Sequence, residues 1–445
     1  MNLLLIILYI IIGVDYLYPF CFRYFGMPQL PPSIVEFSIF GLFLITLIKR
    51  YVSTRNFINS DIKLRRYRYF ILTFLTIALL SSILNLNNMF LVAKVFLNFS
   101  FVNLILFITI LEIDFNEKNQ YRIIKFIYFL IFLQIPVSLY QYMFYHYPSA
   151  DYNSGTISYI GKNDGTGIVA ILMTFLLSFL ISKILIQGFT IKRLILTMLT
   201  FIPPIVGGSR LGIILLPVTI ILTVISYFIF YSQFELLRFI KITIVSGIII
   251  SISLMAILII APQTRFGKTY LNLDVVSTPN KIAKYESGDP KFGRVAGYNK
   301  LFENVFKNNT SILLGIGSDA IAESKFVEAS RPKYVFLSRL EDSIRLLGTT
   351  GMIGLLIVIS IIFLSIPTLK NYIKIETSQF MNIIACSFIP STLIFIGAIF
   401  YTSAWATQVG MSYWIILGIL YQRYYVLNSG YEKMSRYYLS FMKTT

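Results

Sequence analysis

Charged residues are scarce in this chain. Only 13% of its 445 residues are Asp, Glu, Lys or Arg, whereas 56% are hydrophobic. Soluble domains carry about 25% charged residues, so a soluble protein is excluded. One His and two Cys are too few for a His–Cys zinc cluster. The chain also lacks a Walker A sequence and any Asp-x-Asp pair, which argues against a nucleotide-binding loop and a metal-held nucleotide sugar.

Long apolar runs take the place of the missing charges. Runs of about 17–23 residues match the length that a helix needs to cross a hydrocarbon core, and they lack the alternation of membrane strands. The sequence therefore predicts an all-α polytopic membrane protein. The twelve predicted spans are residues 2–20, 33–48, 69–86, 90–111, 124–145, 166–186, 192–207, 211–231, 242–262, 346–366, 380–399 and 406–422.

The distribution of Lys and Arg predicts the orientation of these spans. With the N-terminus inside, the inner segments hold 21 basic residues and the short outer segments hold four, in agreement with the positive-inside rule. Both termini are therefore predicted to be cytoplasmic. Residues 263–345, with 13 basic and nine acidic residues, form one large external loop between transmembrane regions 1–262 and 346–445. The net charge of +18 is explained by basic residues beside anionic lipid, so no nucleic-acid partner is expected.

Four ionisable residues are predicted in the outer half of the bilayer: Asp15, Glu36, Lys94 and Arg210. Ionisable groups at this depth are costly and often functional, although each of these could also lie at the interface and reach water. Together they predict a polar cavity that opens outward under the long loop. Gln134 and Gln141 share one face of the span 124–145, and they either line this cavity or bond neighbouring helices.

The external arginines form a candidate phosphate clamp. The predicted outer side carries Arg210, Arg294, Arg339 and Arg345, and arginine binds phosphate oxygens in a bidentate manner. A solvated surface position is the alternative for each of them. Two acids, Glu341 and Asp342, precede the span 346–366. They act either as helix-capping residues or, in one of the two, as a general base for a hydroxyl acceptor.

The order of several short motifs resembles the bacterial O-antigen polymerase and O-antigen ligase superfamily. The matching segments lie between about residues 125 and 360: Gln134 to Phe144, Gly208-Ser209-Arg210, Gly293-Arg294, Leu314-Gly315-Ile316-Gly317, Glu341-Asp342-Ser343 and Gly351-Met352-Ile353-Gly354. The resemblance implies a GT-C-like integral-membrane glycosyltransferase of the bacterial inner membrane. Its active site would face the periplasm and would need no metal or other cofactor.

The resemblance also implies the substrate and the roles of individual residues. Arg210 and Arg294 would bind the diphosphate of an undecaprenyl-diphosphate-linked oligosaccharide. Ligases of the superfamily carry His-Asn before the helix that corresponds to the span 346–366. Here Glu341-Asp342-Ser343 stands near that point, so a polysaccharide polymerase is expected, with Asp342 preferred to Glu341 as the base. A chain-length regulator is a possible further partner beside the lipid bilayer.

Two alternatives to a polymerase remain open. The first is an O-antigen ligase, which would move the glycan from its lipid to a different acceptor. The second, of another class, is a lipid-linked oligosaccharide transporter or flippase. Many transporters are built from repeated units with binding sites near the bilayer midplane, and the sequence shows neither an internal repeat nor midplane charges.

Overall fold

The computed structural model describes residues 3–28, 30, 34–54, 62–84, 101–113, 115–144, 155–157, 165–207, 209–231, 247, 309–317, 342–401, 405 and 407–444. Every regular element in these ranges is a helix. The helices are α1 (Leu3–Phe25), α2 (Ile34–Thr54), α3 (Ile62–Leu84), α4 (Phe101–Glu112), α5 (Glu117–Phe144), α6 (Gly165–Gln187), α7 (Ile191–Leu199), α8 (Ile202–Val206), α9 (Arg210–Phe230), α10 (Asn309–Leu314), α11 (Asp342–Ile375), α12 (Gln379–Tyr401) and α13 (Gln408–Thr444).

Five segments of these helices are long and apolar enough to cross a membrane: Leu3–Phe22, Glu117–Phe144, Gly165–Gln187, Leu346–Ile375 and Gln379–Phe400. A multi-pass helical membrane protein is thereby confirmed. The total of twelve spans stays a prediction. The predicted span 242–262, for example, lies outside the described residues except for Gly247.

The predicted span 192–207 differs from a single helix. α7 ends at Leu199, and α8 begins only at Ile202. Pro203 explains the interruption, because a proline inside a helix has no amide N–H to donate and its ring collides with the carbonyl four residues earlier. At the start of α8 the missing donor costs nothing, since the first amides of a helix have no intrahelical partner.

α4 and α13 pack side by side and run in the same direction. The rings of Phe107 and Trp414 lie 5.3 Å apart between their centroids. One turn further along both helices, Gly418 lies so close to α4 that a Cβ there would stand 2.7 Å from the Ile110 side chain. This parallel arrangement agrees with the predicted topology, in which the spans 90–111 and 406–422 both run inward.

Five of the six segments predicted to be cytoplasmic have described residues that meet at one end of the bundle, and the sixth, 233–241, lies outside the described residues. Three side-chain pairs join them: Arg50 with Glu112, Arg423 with Glu117 at 3.0 Å, and Gln187 with Gln379 at 3.2 Å. The ion pair between Arg423 and Glu376 joins two of the same segments, 367–380 and 422–445. We refer to this end as the inner face. Its contacts support the predicted alternation of the spans, because each of these segments is separated from the next by an even number of predicted crossings.

Glu376, between α11 and α12, forms a buried ion pair with Arg423 on α13. Its side chain is 0% exposed, and its carboxylate accepts hydrogen bonds from the Arg423 guanidinium, the Tyr372 hydroxyl and the Ser378 amide. Burial alone would raise the pKa of this carboxyl above its usual 4.5, but the hydrogen bonds from Arg423 and Tyr372 outweigh burial and lower it. Glu376 therefore stays charged at neutral pH and holds the α11–α12 corner against α13.

We expect Glu376→Ala to lower the free energy of unfolding by about 3–5 kcal/mol, because it leaves the Arg423 charge buried without its main partner. Thermal unfolding of the detergent-solubilised protein measures the loss. Glu117→Ala is the matched control. Glu117 meets the same guanidinium, but its side chain is 55% exposed, so its loss should be only about 0–1 kcal/mol. If both variants lost the same free energy of unfolding, Glu376 would not be the main partner of Arg423.

Candidate functional site

The predicted site residues divide into three groups. The structure describes only the backbone of Arg210, Asp342 and Arg345. Outside the described residues lie Lys94, Arg294, Arg339 and Glu341. Described with their side chains are Asp15, Glu36 and Gln141. The roles of the first two groups as phosphate ligands, base or cavity residues therefore stay predictions, and their surroundings are built from the neighbouring backbone.

Arg210 is the first residue of α9, and the turn before it is held firmly. Ser209 caps the helix, because its Oγ accepts a hydrogen bond from the Gly212 amide at 3.3 Å. The Ser209 amide in turn donates to the Pro204 carbonyl at 2.9 Å. A Cβ on Gly212 would stand 2.6 Å from Pro204 and 2.8 Å from Ala170. The first turn of α9 is thus fixed against α8 and α6.

α11 is broken close to its beginning. Gly351 has φ +64° and ψ −165°, a backbone conformation that is essentially restricted to glycine. Residues 342–350 and 352–375 therefore form two helical segments. In the first segment Ser343 and residues 346–350 are buried. The two candidate residues Asp342 and Arg345 thus belong to a short buried helix that is distinct from the longer part of α11.

A described part of the long predicted loop fills this break. After α10 the chain turns at Gly315, which has φ +74°, and the Ile316 amide donates to the Gly348 carbonyl at 2.8 Å. In an unbroken helix that carbonyl would accept from the amide four residues further on. The contact between residues 313–317 and residues 348–351 is termed the glycine clasp. It gives the interrupted helix a hydrogen-bond partner from the loop.

Glycine is required on both sides of the glycine clasp. A Cβ on Gly315 would stand 2.6 Å from the Gly348 carbonyl oxygen, and one on Gly351 would stand 2.3 Å from the Leu313 carbonyl oxygen. Both distances are far below van der Waals contact with backbone atoms. A non-glycine residue would also meet backbone strain of about 1–3 kcal/mol at each position. The glycine clasp therefore brings together the two glycine motifs that follow Leu313 and Thr350.

A second irregular segment is held by the two glutamines of α5. Gln141 pairs with the Gly155 backbone twice: its Nε2 donates to the carbonyl at 2.7 Å, and its Oε1 accepts from the amide at 2.9 Å. Gln134 accepts from the Thr156 amide at 2.8 Å and donates to the Thr156 hydroxyl at 2.7 Å. Both glutamine side chains are buried. We refer to residues 134, 141 and 155–156 as the glutamine clamp.

The glutamine clamp lies deep in the bundle. Gln134 precedes the last residue of α5, Phe144, by ten positions, which is roughly 15 Å along a helix axis. Non-helical backbone at membrane depth is tolerated only where protein or a water-filled cavity surrounds it. Of the two sequence interpretations, the structure favours bonding to neighbouring segments, because Gln141 also donates to the Tyr24 hydroxyl at 3.0 Å. The spacing of the glutamines was the sequence signal, but it did not identify Gly155 as their partner.

Asp15 on α1 and Glu36 on α2 are near enough for their carboxylate charges to repel each other. Each has one carboxylate oxygen that is inaccessible to solvent and has no hydrogen-bond partner among the described residues. Of the other two ionisable residues predicted for this group, Lys94 lies outside the described part of the chain, and only the backbone of Arg210 is described. The structure thus brings together two of the predicted cavity residues. A buried carboxylate oxygen without a partner is costly, which marks this corner as a polar site.

Gln408 at the start of α13 completes the same corner, and sequence reasoning did not identify it. Its Nε2 donates to the Asp15 backbone carbonyl at 2.9 Å. Pro19 lies inside α1, and a proline leaves the carbonyl four residues earlier without its helical partner, so Gln408 replaces the donor that Pro19 lacks. Tyr16 adds a hydrogen bond to Ser412 at 2.5 Å. Pro19 was the signal from which a partner for Asp15 could have been expected.

Comparison with known proteins yields no match: no protein-family model and no curated protein matches this chain. The geometry described above and the sequence motifs therefore carry the functional proposal.

We expect Gly155→Ala to destabilise the protein more than Gly188→Ala. Both glycines have positive φ, +64° and +88°, so both variants meet backbone strain. A Cβ on Gly155 would also stand 2.3 Å from the Gln134 Oε1, whereas nothing lies within 4 Å of one on Gly188. Backbone strain alone costs about 1–3 kcal/mol. Any further loss of stability in Gly155→Ala measures the overlap of the new Cβ with Gln134 in the glutamine clamp. Thermal unfolding in detergent compares the two, and a Gly188→Ala variant of equal or lower stability would disprove the close contact.

Proposed function

We propose that this protein is a polysaccharide polymerase of the bacterial inner membrane. It transfers a growing glycan from undecaprenyl diphosphate to the next lipid-linked repeat unit on the periplasmic side. The O-antigen, capsule and exopolysaccharide classes all fit this reaction. The bilayer supplies both substrates, and a chain-length regulator is the expected protein partner.

The glycine clasp is the observation that carries this proposal. The resemblance to O-antigen polymerases rests on motifs that are scattered along the sequence, and two of them, around Gly315 and Gly351, are in direct backbone contact. Motifs that merely recur by chance in a hydrophobic chain have no reason to meet. Asp342 and Arg345 belong to the helical segment that ends at this contact, so the candidate base and a candidate phosphate ligand are tied to the same unit.

The chemistry needs no nucleotide, because the diphosphate already activates the donor sugar. The acceptor hydroxyl attacks the anomeric carbon, the glycosidic oxygen–carbon bond forms, and the bond from that carbon to the diphosphate oxygen breaks. Asp342, or Glu341 beside it, accepts the hydroxyl proton. Arg210 and Arg294, with Arg339 and Arg345, stabilise the charge that develops on the leaving undecaprenyl diphosphate. No metal or other cofactor takes part.

A lipid-linked oligosaccharide transporter is the second candidate, and the break in α11 favours it. Interrupted helices with paired irregular backbone are a common feature of transporter binding sites, and Gly351 interrupts α11. The two functions differ in the intermediate that accumulates when the gene is deleted. Loss of a polymerase leaves single repeat units on the periplasmic side, whereas loss of a flippase leaves them on the cytoplasmic side.

We expect Arg210→Ala and Arg294→Ala each to slow polymer formation by about 100-fold. Charge-assisted hydrogen bonds contribute about 1.5–3 kcal/mol each, and each 1.36 kcal/mol in the barrier corresponds to about tenfold in rate. Polymer length on gels and turnover in a reconstituted assay measure the effect, with the amount of membrane-inserted protein determined in parallel.

Arg193→Ala is the matched control. This arginine lies at the inner face, where it donates to the Gly188 carbonyl at 2.6 Å, and its loss should leave turnover unchanged. Polymer of normal length from both outer-side variants would defeat the proposed diphosphate site.

We expect Leu313→Cys to react with a membrane-impermeant maleimide in intact spheroplasts, and Phe189→Cys to react only after permeabilisation. Both side chains are exposed, 49% and 52%, so reagent access rather than burial decides the result. Leu313 belongs to the predicted external loop, and Phe189 to the predicted cytoplasmic turn between α6 and α7. The native cysteines, Cys21 and Cys386, are replaced by alanine beforehand. The opposite labelling pattern would reverse the topology.

A further inference from the structure

The glycine clasp is more than a packing contact, because it links the loop segment 309–317 to the break in α11 through a hydrogen bond between backbone atoms. The Ile316 amide pairs with the Gly348 carbonyl. No side chain intervenes, since a Cβ on either Gly315 or Gly351 would overlap the opposite backbone. The position of one segment therefore closely constrains that of the other.

The hydrogen bond between Ile316 and Gly348 is costly to break in a membrane environment. A backbone carbonyl that loses its helical partner inside a membrane must find another donor or reach water. The Gly348 carbonyl lies in a segment whose residues 346–350 are buried, so water is a poor substitute there. Releasing the loop from α11 would leave this carbonyl and the Ile316 amide unpaired. The paired arrangement is therefore the stable position of the short helix 342–350.

The longer part of α11 does not hold the short helix in line. At Gly351 the helical hydrogen bonds are interrupted, so the longer part of α11 does not fix the orientation of residues 342–350 as a continuous helix would. The candidate base Asp342 lies nine residues before the break, or about 13 Å along a helix. At that distance a small rotation at Gly351 moves the base by several ångströms.

We propose that the glycine clasp positions the helix 342–350, and with it the acceptor base, by docking residues 313–317 of the external loop onto the break in α11. Gly315 and Gly351 are positioning residues in this arrangement. They act through the short helix and do not touch the substrate. The inference rests on the proposed polymerase function for the role of the base, whereas the docking itself is independent of that function.

The docking is tested by the reactivity of a buried position in the short helix. Ser343 is 0% exposed. In a chain without native cysteines, Ser343→Cys should resist a small charged methanethiosulfonate. Adding Gly351→Ala should raise its labelling rate by about tenfold or more, because the variant combines backbone strain with overlap. Gly315→Ala should raise the labelling rate to a similar extent, although the substitution lies in the loop and alters no residue of α11.

Gly397→Ala is the control for the labelling experiment. Gly397 lies on α12, has nothing within 4 Å of its Cβ position, and should leave the labelling rate unchanged. If Gly351→Ala prevents insertion, Gly315→Ala alone decides the outcome. Labelling that is as slow in Gly315→Ala as in Gly397→Ala overturns the proposal, and so does rapid labelling before any glycine is replaced.

Turnover of the native-cysteine chain tests the consequence for catalysis. We expect Gly315→Ala and Gly351→Ala to lower kcat by about tenfold or more with a smaller change in KM for the lipid-linked repeat unit, because Arg210 on α9 stays in place. A rise in KM with unchanged kcat would overturn the positioning role. If the wild-type protein forms no polymer, the proposed function fails, and the labelling rates still decide whether the docking exists.

Discussion

The pairing of backbone amides and carbonyls inside a membrane is the constraint on which this structure depends. Helices satisfy it internally, and an unpaired group in hydrocarbon costs several kcal/mol. At three places in the described chain a helix is interrupted or replaced, and a partner distant in sequence restores the hydrogen bond: Gln408 beside Pro19, Gln134 and Gln141 beside Gly155, and Ile316 beside Gly351. Each irregularity is thus tied to a specific contact between segments.

The two ends of the bundle differ in the interactions that hold them. The inner face is closed by ion pairs, above all Glu376 with Arg423. The irregular backbone lies toward the opposite ends of the same helices: the glutamine clamp on α5, Gln408 on α13 and Gly351 on α11. In the predicted topology this second end faces the outer leaflet. Of the charged candidates, the Asp15 and Glu36 side chains and the backbone of Arg210 and Asp342 lie toward it.

Hydropathy predicts the regular part of this fold well and the irregular part poorly. The predicted spans 124–145, 166–186 and 380–399 correspond to α5, α6 and α12 within a few residues, except that α5 starts earlier, because the length of an apolar run is a local property. The interruption in 192–207 was visible as Pro203-Pro204. The break in α11 was not, because Gly351 takes its conformation from contact with Gly315, which lies far away in sequence. Side-chain roles in the candidate site depend on such distant contacts.

The start of α9 and the short helix 342–350 carry different tasks in the proposed reaction. α9 begins with Arg210, and α11 with Asp342. The amides at a helix start carry partial positive charge that favours nearby anions. At α9 this charge would add to that of Arg210 in holding the proposed diphosphate, and the Ser209 Oγ accepts a hydrogen bond from the Gly212 amide. The proposed base, Asp342, belongs instead to the short helix before Gly351. The proposed leaving-group site and the proposed base therefore come together only if that short helix keeps its place.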